Sequence, residues 1–116
     1  MPNIRTETLP EGICVLTFDR PDSSANIFDA PTLAELAAEI SRLAKPDTQA
    51  KGLILTSAKD TIFVAGADLR AVQTMSPEHA TAFIALGQSL FSTIAALPFP
   101  TVAAVHGAAL GGGYEV

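Results

Sequence analysis

Apolar positions along this chain change period several times, and each change marks an element. Residues 13–18, Ile13-Cys14-Val15-Leu16-Thr17-Phe18, form an apolar-rich run entered from the turn Pro10-Glu11-Gly12, which predicts a buried strand. Residues 3–9 predict its antiparallel partner, because Ile4, Thr6 and Thr8 fall on one face. A polar loop rich in turn formers, Asp19-Arg20-Pro21-Asp22-Ser23-Ser24-Ala25-Asn26, follows. Leu33, Leu36, Ala37, Ile40, Leu43 and Ala44 then recur at steps of 3, 1, 3, 3 and 1, a single apolar stripe on a helix of about 13 residues. Pro31 suits its first turn and Pro46 its stop.

Gly52-Leu53-Ile54-Leu55-Thr56 predicts a second buried strand, and the helix before it leaves room for a crossover and hence a parallel pairing. Ser76-Pro77-Glu78 has the features of a helix start: a hydroxyl cap, Pro at the first position and an acid near the positive end of the dipole. Phe83, Ile84, Gly87, Leu90, Phe91, Ile94 and Leu97 mark the expected buried face, with Pro98 and Pro100 ending the helix. A third strand is expected over residues 101–105, running into His106-Gly107 and a glycine run. Strands alternating with helices give an α/β fold class, with no repeat, low-complexity tract or linker.

Composition narrows the class. At 116 residues the chain is at most one domain, and a chain of that size buries roughly two thirds of its unfolded surface. A hydrophobic content of 48% with 16% charged residues argues for a globular chain, on the apolar side of the usual range. The net charge of −5, without any basic stretch, argues against nucleic acid as a partner, because phosphate neutralisation needs clustered Lys and Arg. The single cysteine, Cys14, lies in an apolar run, reads as a small core hydrophobe and fits a reducing, cytoplasmic setting. No apolar run reaches the roughly 18 residues of a membrane span, and no signal pattern opens the chain.

Two segments are unusual enough to carry chemistry. Phe63-Val64-Ala65-Gly66-Ala67-Asp68-Leu69 has small side chains that let a ligand approach the backbone. In Val105-His106-Gly107-Ala108-Ala109-Leu110-Gly111-Gly112-Gly113-Tyr114-Glu115-Val116 a strand runs into a glycine-rich turn that opens a helix. Such an end offers unpaired N–H groups to an anion or a developing oxyanion. Three adjacent glycines cost a helix roughly 1 kcal/mol each relative to alanine, and close backbone approach to a ligand is the natural offset. A dinucleotide site fits poorly: Gly107-Ala108-Ala109-Leu110-Gly111-Gly112 lacks the G-x-G-x-x-G spacing.

Together the two segments resemble the enoyl-CoA hydratase/isomerase (crotonase) superfamily. The first is similar to its F-x-A-G-A-D-I/L motif and residues 104–116 to its A-x-x-G-x-A-x-G-G-G-x-E-L/V motif. Arg20-Pro21 followed by Asn26 is similar to the family's R-P-x-x-x-N-A/T loop, with one extra residue, Asp22. The three occur in order across nearly the whole chain. The resemblance implies the N-terminal portion of a crotonase-like ββα spiral over residues 1–116, belonging to a longer protein and inactive as an isolated piece.

It also implies roles. The backbone N–H groups of Ala67 and Gly112 would hold the thioester oxyanion, and Glu115 would position and activate water. A second glutamate, roughly twenty residues further on in the family, would complete the acid/base pair. Ser23, Ser24, Ala25, Ala65, Asp68, Leu69 and Gly111 match substrate-binding positions, with Asp68 suited to capping the next helix by its side chain. Arg70 or Lys59 is a candidate for a phosphate of coenzyme A or simply a surface charge; His106 reads as a hydrogen-bonded structural histidine. Tyr114 replaces a small or apolar residue and would reshape the acyl pocket.

The expected reaction is syn-hydration of a 2-enoyl-CoA, with coenzyme A arriving as part of the substrate and no separate cofactor or metal. Expected partners are an acyl-CoA and further protomers, in a trimer-based homo-oligomer or a multifunctional fatty-acid oxidation complex. The alternatives are another crotonase-type reaction on the same oxyanion hole, such as isomerisation or thioester hydrolysis, and a non-catalytic acyl-CoA-binding module.

Overall fold

The computed structural model describes residues 2–45, 50–66 and 73–109. The elements in order are β1 (Ile4–Thr8), β2 (Ile13–Phe18), α1 (Ala30–Leu43), β3 (Gly52–Ser57), β4 (Ile62–Val64), α2 (Pro77–Ala95), β5 (Thr101–Ala103) and β6 (Ala108–Ala109). The α/β class and the individual strands and helices expected from periodicity are present.

β1 and β2 form an antiparallel hairpin in the register Ile4↔Phe18 to Thr8↔Cys14. Its turn closes through Leu9 N–H to Ile13 O at 2.8 Å and Gly12 N–H to Leu9 O at 2.9 Å, with Gly12 at φ +88°, a conformation costless only for glycine. β2 then pairs in parallel with β3, from Ile13↔Gly52 to Phe18↔Ser57, with α1 as the crossover. β5 joins β3 in parallel, giving the order β1-β2-β3-β5. A second, two-stranded sheet pairs β4 with β6, also in parallel.

Cys14, Leu16 and Phe18 of β2 alternate with half-buried neighbours and meet Leu53 and Leu55 of β3 under Leu33, Leu36, Ile40 and Leu43 of α1. Asp29 caps α1 by accepting from Thr32 N–H at 3.0 Å, which satisfies one of the donors a helix start leaves open. Phe18 stands edge-on to both Phe28, at 5.8 Å between ring centres, and Phe63, at 5.9 Å, so the loop before α1 and the strand β4 converge on one aromatic. Burial pushes the Cys14 thiol up from its ordinary pKa, against the opposing pull of Arg42, as befits a core side chain.

Two expectations need correction. α2 starts at its Ser76 cap, whose side chain accepts from His79 N–H, but only Leu90 and Ile94 on the helix are buried, with Leu97 just beyond. Phe83, Gly87 and Phe91 are half-buried, and Ile84 is 52% exposed. The helical period is right: Phe83 and Phe91 pack against the core while partly buried, and full burial on the helix is confined to Leu90 and Ile94. The third strand stops at Ala103 instead of reaching residue 105, and Val102 and Val105 are 57% and 51% exposed. Among the described residues β3 is the one sheet neighbour of β5, and the chain leaves β5 to reach β6.

Candidate active site

The loop before α1 and the passage from β5 to β6 both meet the stretch around β4, and a buried asparagine ties the loop to it. Asn26 Oδ1 accepts from Arg20 N–H at 3.0 Å, while Nδ2 donates to Ser57 Oγ at 2.8 Å and to the Phe63 carbonyl at 2.9 Å. Ser57 Oγ in turn donates to the Ile62 carbonyl at 2.8 Å and accepts from Lys59 N–H at 3.0 Å. Each polar atom of this pair is matched, as burial requires. The main chain adds two bonds: Ala65 N–H to Asn26 O at 2.8 Å, and Phe28 N–H to Gly66 O at 2.7 Å.

Arg20 and Asp29 brace the same loop through an ion pair, with Asp29 mostly buried at the α1 cap. Burial works against ionisation of Asp29, but the hydrogen bonds from Thr32 and Arg20 outweigh it and hold the carboxyl below its ordinary pKa. Asp22, the residue in excess of the family loop, adopts φ +55°, a left-handed turn conformation that aspartate tolerates better than most residues.

Lys59 is tied down. Its ammonium donates to Asp19 Oδ1 at 3.0 Å and to the Arg20 carbonyl at 2.6 Å, and its side chain is 11% exposed. That corrects the idea of Lys59 as a free phosphate-binding cation: two of its three donors already clip the loop. A shallow cavity of about 370 Å³ lies beside it, lined by Ser23, Ser24, Ala58, Lys59, Asp60 and Thr61. Of the expected substrate-binding residues, the structure therefore places Ser23 and Ser24 on one cavity. Ala25 sits next to the Asn26 hub, donating its N–H to Ser23 Oγ at 3.2 Å, and Ala65, just past β4, is held by the Asn26 carbonyl.

His106 bonds through Nε2 to the Lys59 carbonyl at 2.7 Å, the structural role expected of it. Gly107, at φ +72°, crosses directly over the Thr61–Ile62 peptide: a Cβ there would lie 2.0 Å from Thr61 O. This close crossing brings β6 alongside β4, in the register Ile62↔Ala108 and Val64↔Ala109. The two strands are parallel, so both run in the same direction. Ala67 follows Val64 by three residues (67 − 64) and Gly112 follows Ala109 by three (112 − 109). Ala67, Gly112, Glu115, Asp68, Leu69, Gly111, Arg70 and Tyr114 themselves lie outside the described residues.

A sequence model of the enoyl-CoA hydratase/isomerase family matches residues 8–116. The chain belongs to the enoyl-CoA hydratase/isomerase family. Among its relatives, the fatty acid oxidation complex subunit alpha of Vibrio cholerae is 41% identical over 102 residues, covering 87% of this chain and 14% of that protein. The subunit of the same name from Shewanella baltica is 40% identical over 110 residues, or 91% of this chain and 15% of that protein. Among solved structures, an enoyl-CoA hydratase from Bacillus anthracis superposes with a TM-score of 0.87 at 28% identity, covering 97% of this chain and 43% of that one. One from Shewanella pealeana gives 0.83 at 28% identity, over 96% and 42%. The fold is thus that of crotonase-type hydratases, and the chain spans about a seventh of the curated relatives' length and less than half of the solved hydratases.

Sequence reasoning had used Asn26 only as a motif letter and had missed Ser57 and the β4–β6 pairing. Asn26 was findable from its spacing after Arg20-Pro21. Ser57 carried no signal beyond standing at the end of a buried strand.

Proposed function

We propose that this chain forms the oxyanion-binding part of an enoyl-CoA hydratase that adds water across the 2,3 double bond of a 2-enoyl-CoA in syn fashion. The observation that carries the reading is the parallel pairing of β4 with β6: past an irregularity between Ile62 and Val64, Val64 pairs with Ala109, and Ala67 and Gly112 each stand three residues further on in sequence. Two N–H groups converging on the thioester oxygen favour the enolate over the ground-state carbonyl, and removing one such donor costs on the order of 10² to 10³ in rate in comparable sites. Glu115 lies within the span matched by the family and, by the resemblance, positions and activates the water.

A second acid from elsewhere in the protein completes proton transfer. Ser23, Ser24, Ala25 and Ala65 line the approach of the acyl-CoA, with Asp68, Leu69 and Gly111 around the thioester. The reaction needs no metal or redox cofactor, since coenzyme A belongs to the substrate. The relatives named as fatty acid oxidation subunits support a place in fatty-acid oxidation, within a multifunctional subunit or a homo-oligomeric hydratase.

The protein as its gene encodes it should convert crotonyl-CoA to 3-hydroxybutyryl-CoA, with loss of the conjugated thioester absorbance and incorporation of solvent oxygen at the β-carbon. Release of free coenzyme A instead would assign it to thioester hydrolysis. Tight binding without turnover would make it a binding module.

A further inference from the structure

We propose that the main-chain N–H of Phe28 is an aiming contact for the N–H of Ala67, acting through the peptide plane between Gly66 and Ala67. The inference rests on the reading of Ala67 as an oxyanion donor. Phe28 N–H donates to Gly66 O at 2.7 Å. That carbonyl shares its peptide unit with the Ala67 N–H, and in the planar trans unit that peptides almost always form, C=O and N–H point in opposite directions. Fixing the carbonyl therefore fixes the direction of the donor.

An external hold is needed here. Gly66 sits at φ +101° and has no Cβ, so its own torsional preferences restrain the plane weakly. Phe28, by contrast, is 3% exposed, with its ring edge-on to Phe18 at 5.8 Å and tilted against Phe91 at 5.4 Å. The next residue, Asp29, is locked by Thr32 and Arg20 at the start of α1. Two residues earlier, Asn26 receives Ala65 N–H on its carbonyl and holds the Phe63 carbonyl with its side chain. The strap at 26–28 thus grips the segment 63–66 at three points and is anchored in the aromatic core and the helix cap. Phe28 touches no reacting atom in this scheme; it is a positioning residue acting through its backbone.

The test uses the protein as its gene encodes it, with Phe28 replaced by phenyllactate through nonsense suppression. That ester keeps the ring and deletes only the N–H. A second ester, lactate in place of Ala67, deletes the donor itself. Three quantities are measured: kcat and KM for crotonyl-CoA, the red shift of bound hexadienoyl-CoA as a report on carbonyl polarisation, and the thermal midpoint.

The Phe28 ester should lower kcat about tenfold or more, with KM within about threefold and a diminished dienoyl shift in a protein that remains folded. A Phe28 ester with kcat within about twofold and a full shift overturns the proposal. If the Ala67 ester loses about 10²-fold while the Phe28 ester is unaffected, aiming is wrong and the oxyanion reading stands; if neither matters, both fall. Should the Phe28 ester fold poorly, Asn26→Gln loosens the same strap from its other end. It should show the same diminished shift, and a full shift there also overturns the proposal.

Discussion

Asn26 acts in one place as acceptor and twice as donor, toward Arg20 N–H, Ser57 Oγ and the Phe63 carbonyl, while 2% exposed. An apolar replacement of similar size leaves those groups short of partners inside the protein. Asn26→Leu should therefore cost about 3 kcal/mol in urea unfolding, whereas a loss below about 0.5 kcal/mol would show that the hub is dispensable. Asp29 makes a pH-dependent counterpart. Its folded pKa is depressed below the unfolded value, so its contribution is present above the unfolded pKa and is lost as pH falls through the folded one. Asn at the same position can still cap α1 but cannot form the ion pair with Arg20. Near pH 6 Asp29→Asn should be about 1 kcal/mol less stable than the parent, and the gap should close as the pH falls below the ordinary carboxylate range and through the depressed folded pKa. A gap constant with pH would place the effect elsewhere. None of this was readable from residue type alone, because the partners of Asn26 stand 31 and 37 residues away.

At the scale of elements, periodicity performed well where one face is buried along the whole length. α1 buries Leu33, Leu36, Ile40 and Leu43 of its expected stripe, with Ala37 partly buried, while Ala44 is the exposed residue that caps the helix. β2 and β3 were visible as apolar runs because both are central strands. α2 repeats the helical pattern but is fully buried only at Leu90 and Ile94, and no local signal distinguishes Ile84 from Leu90. β4 and β6, at three and two residues, are too short to have a period at all. What positions them is the Gly107 crossing. Gly107→Ala would drive a methyl into Thr61 O at a φ of +72° and should cost about 3 kcal/mol or more, with reduced hydratase activity as β6 is displaced. Gly87→Ala is the control: a Cβ there meets nothing within 4 Å, and the helix should gain about 0.5 to 1 kcal/mol in thermal unfolding. Similar effects at the two glycines would contradict the crossing as the device that aligns the strands.

At the scale of the molecule, the fold class was legible because β2, α1 and β3 alternate in a chain whose motifs fall in order. The candidate site was legible in part and for a different reason. Its expected oxyanion donors are main-chain groups, so Ala67 and Gly112 carry no chemical signature of their own and were named through the resemblance to the enoyl-CoA hydratase/isomerase family. The structure adds the parallel pairing of β4 with β6 beside the Gly107 crossing and the strap at 26–28, and Ala67 and Gly112 each follow the Val64↔Ala109 pair by three residues in sequence. No helix among the described residues is long and apolar enough to cross a membrane. The central claim, that the segment following β6 brings a hydration acid to a thioester held by the oxyanion donors, is tested most directly by Glu115→Gln in the protein as its gene encodes it. Hydration of crotonyl-CoA should fall by about 10² or more, while hexadienoyl-CoA still binds with its red shift, because the donors are untouched. Hydration at the parent rate in the Glu115→Gln protein would contradict the account.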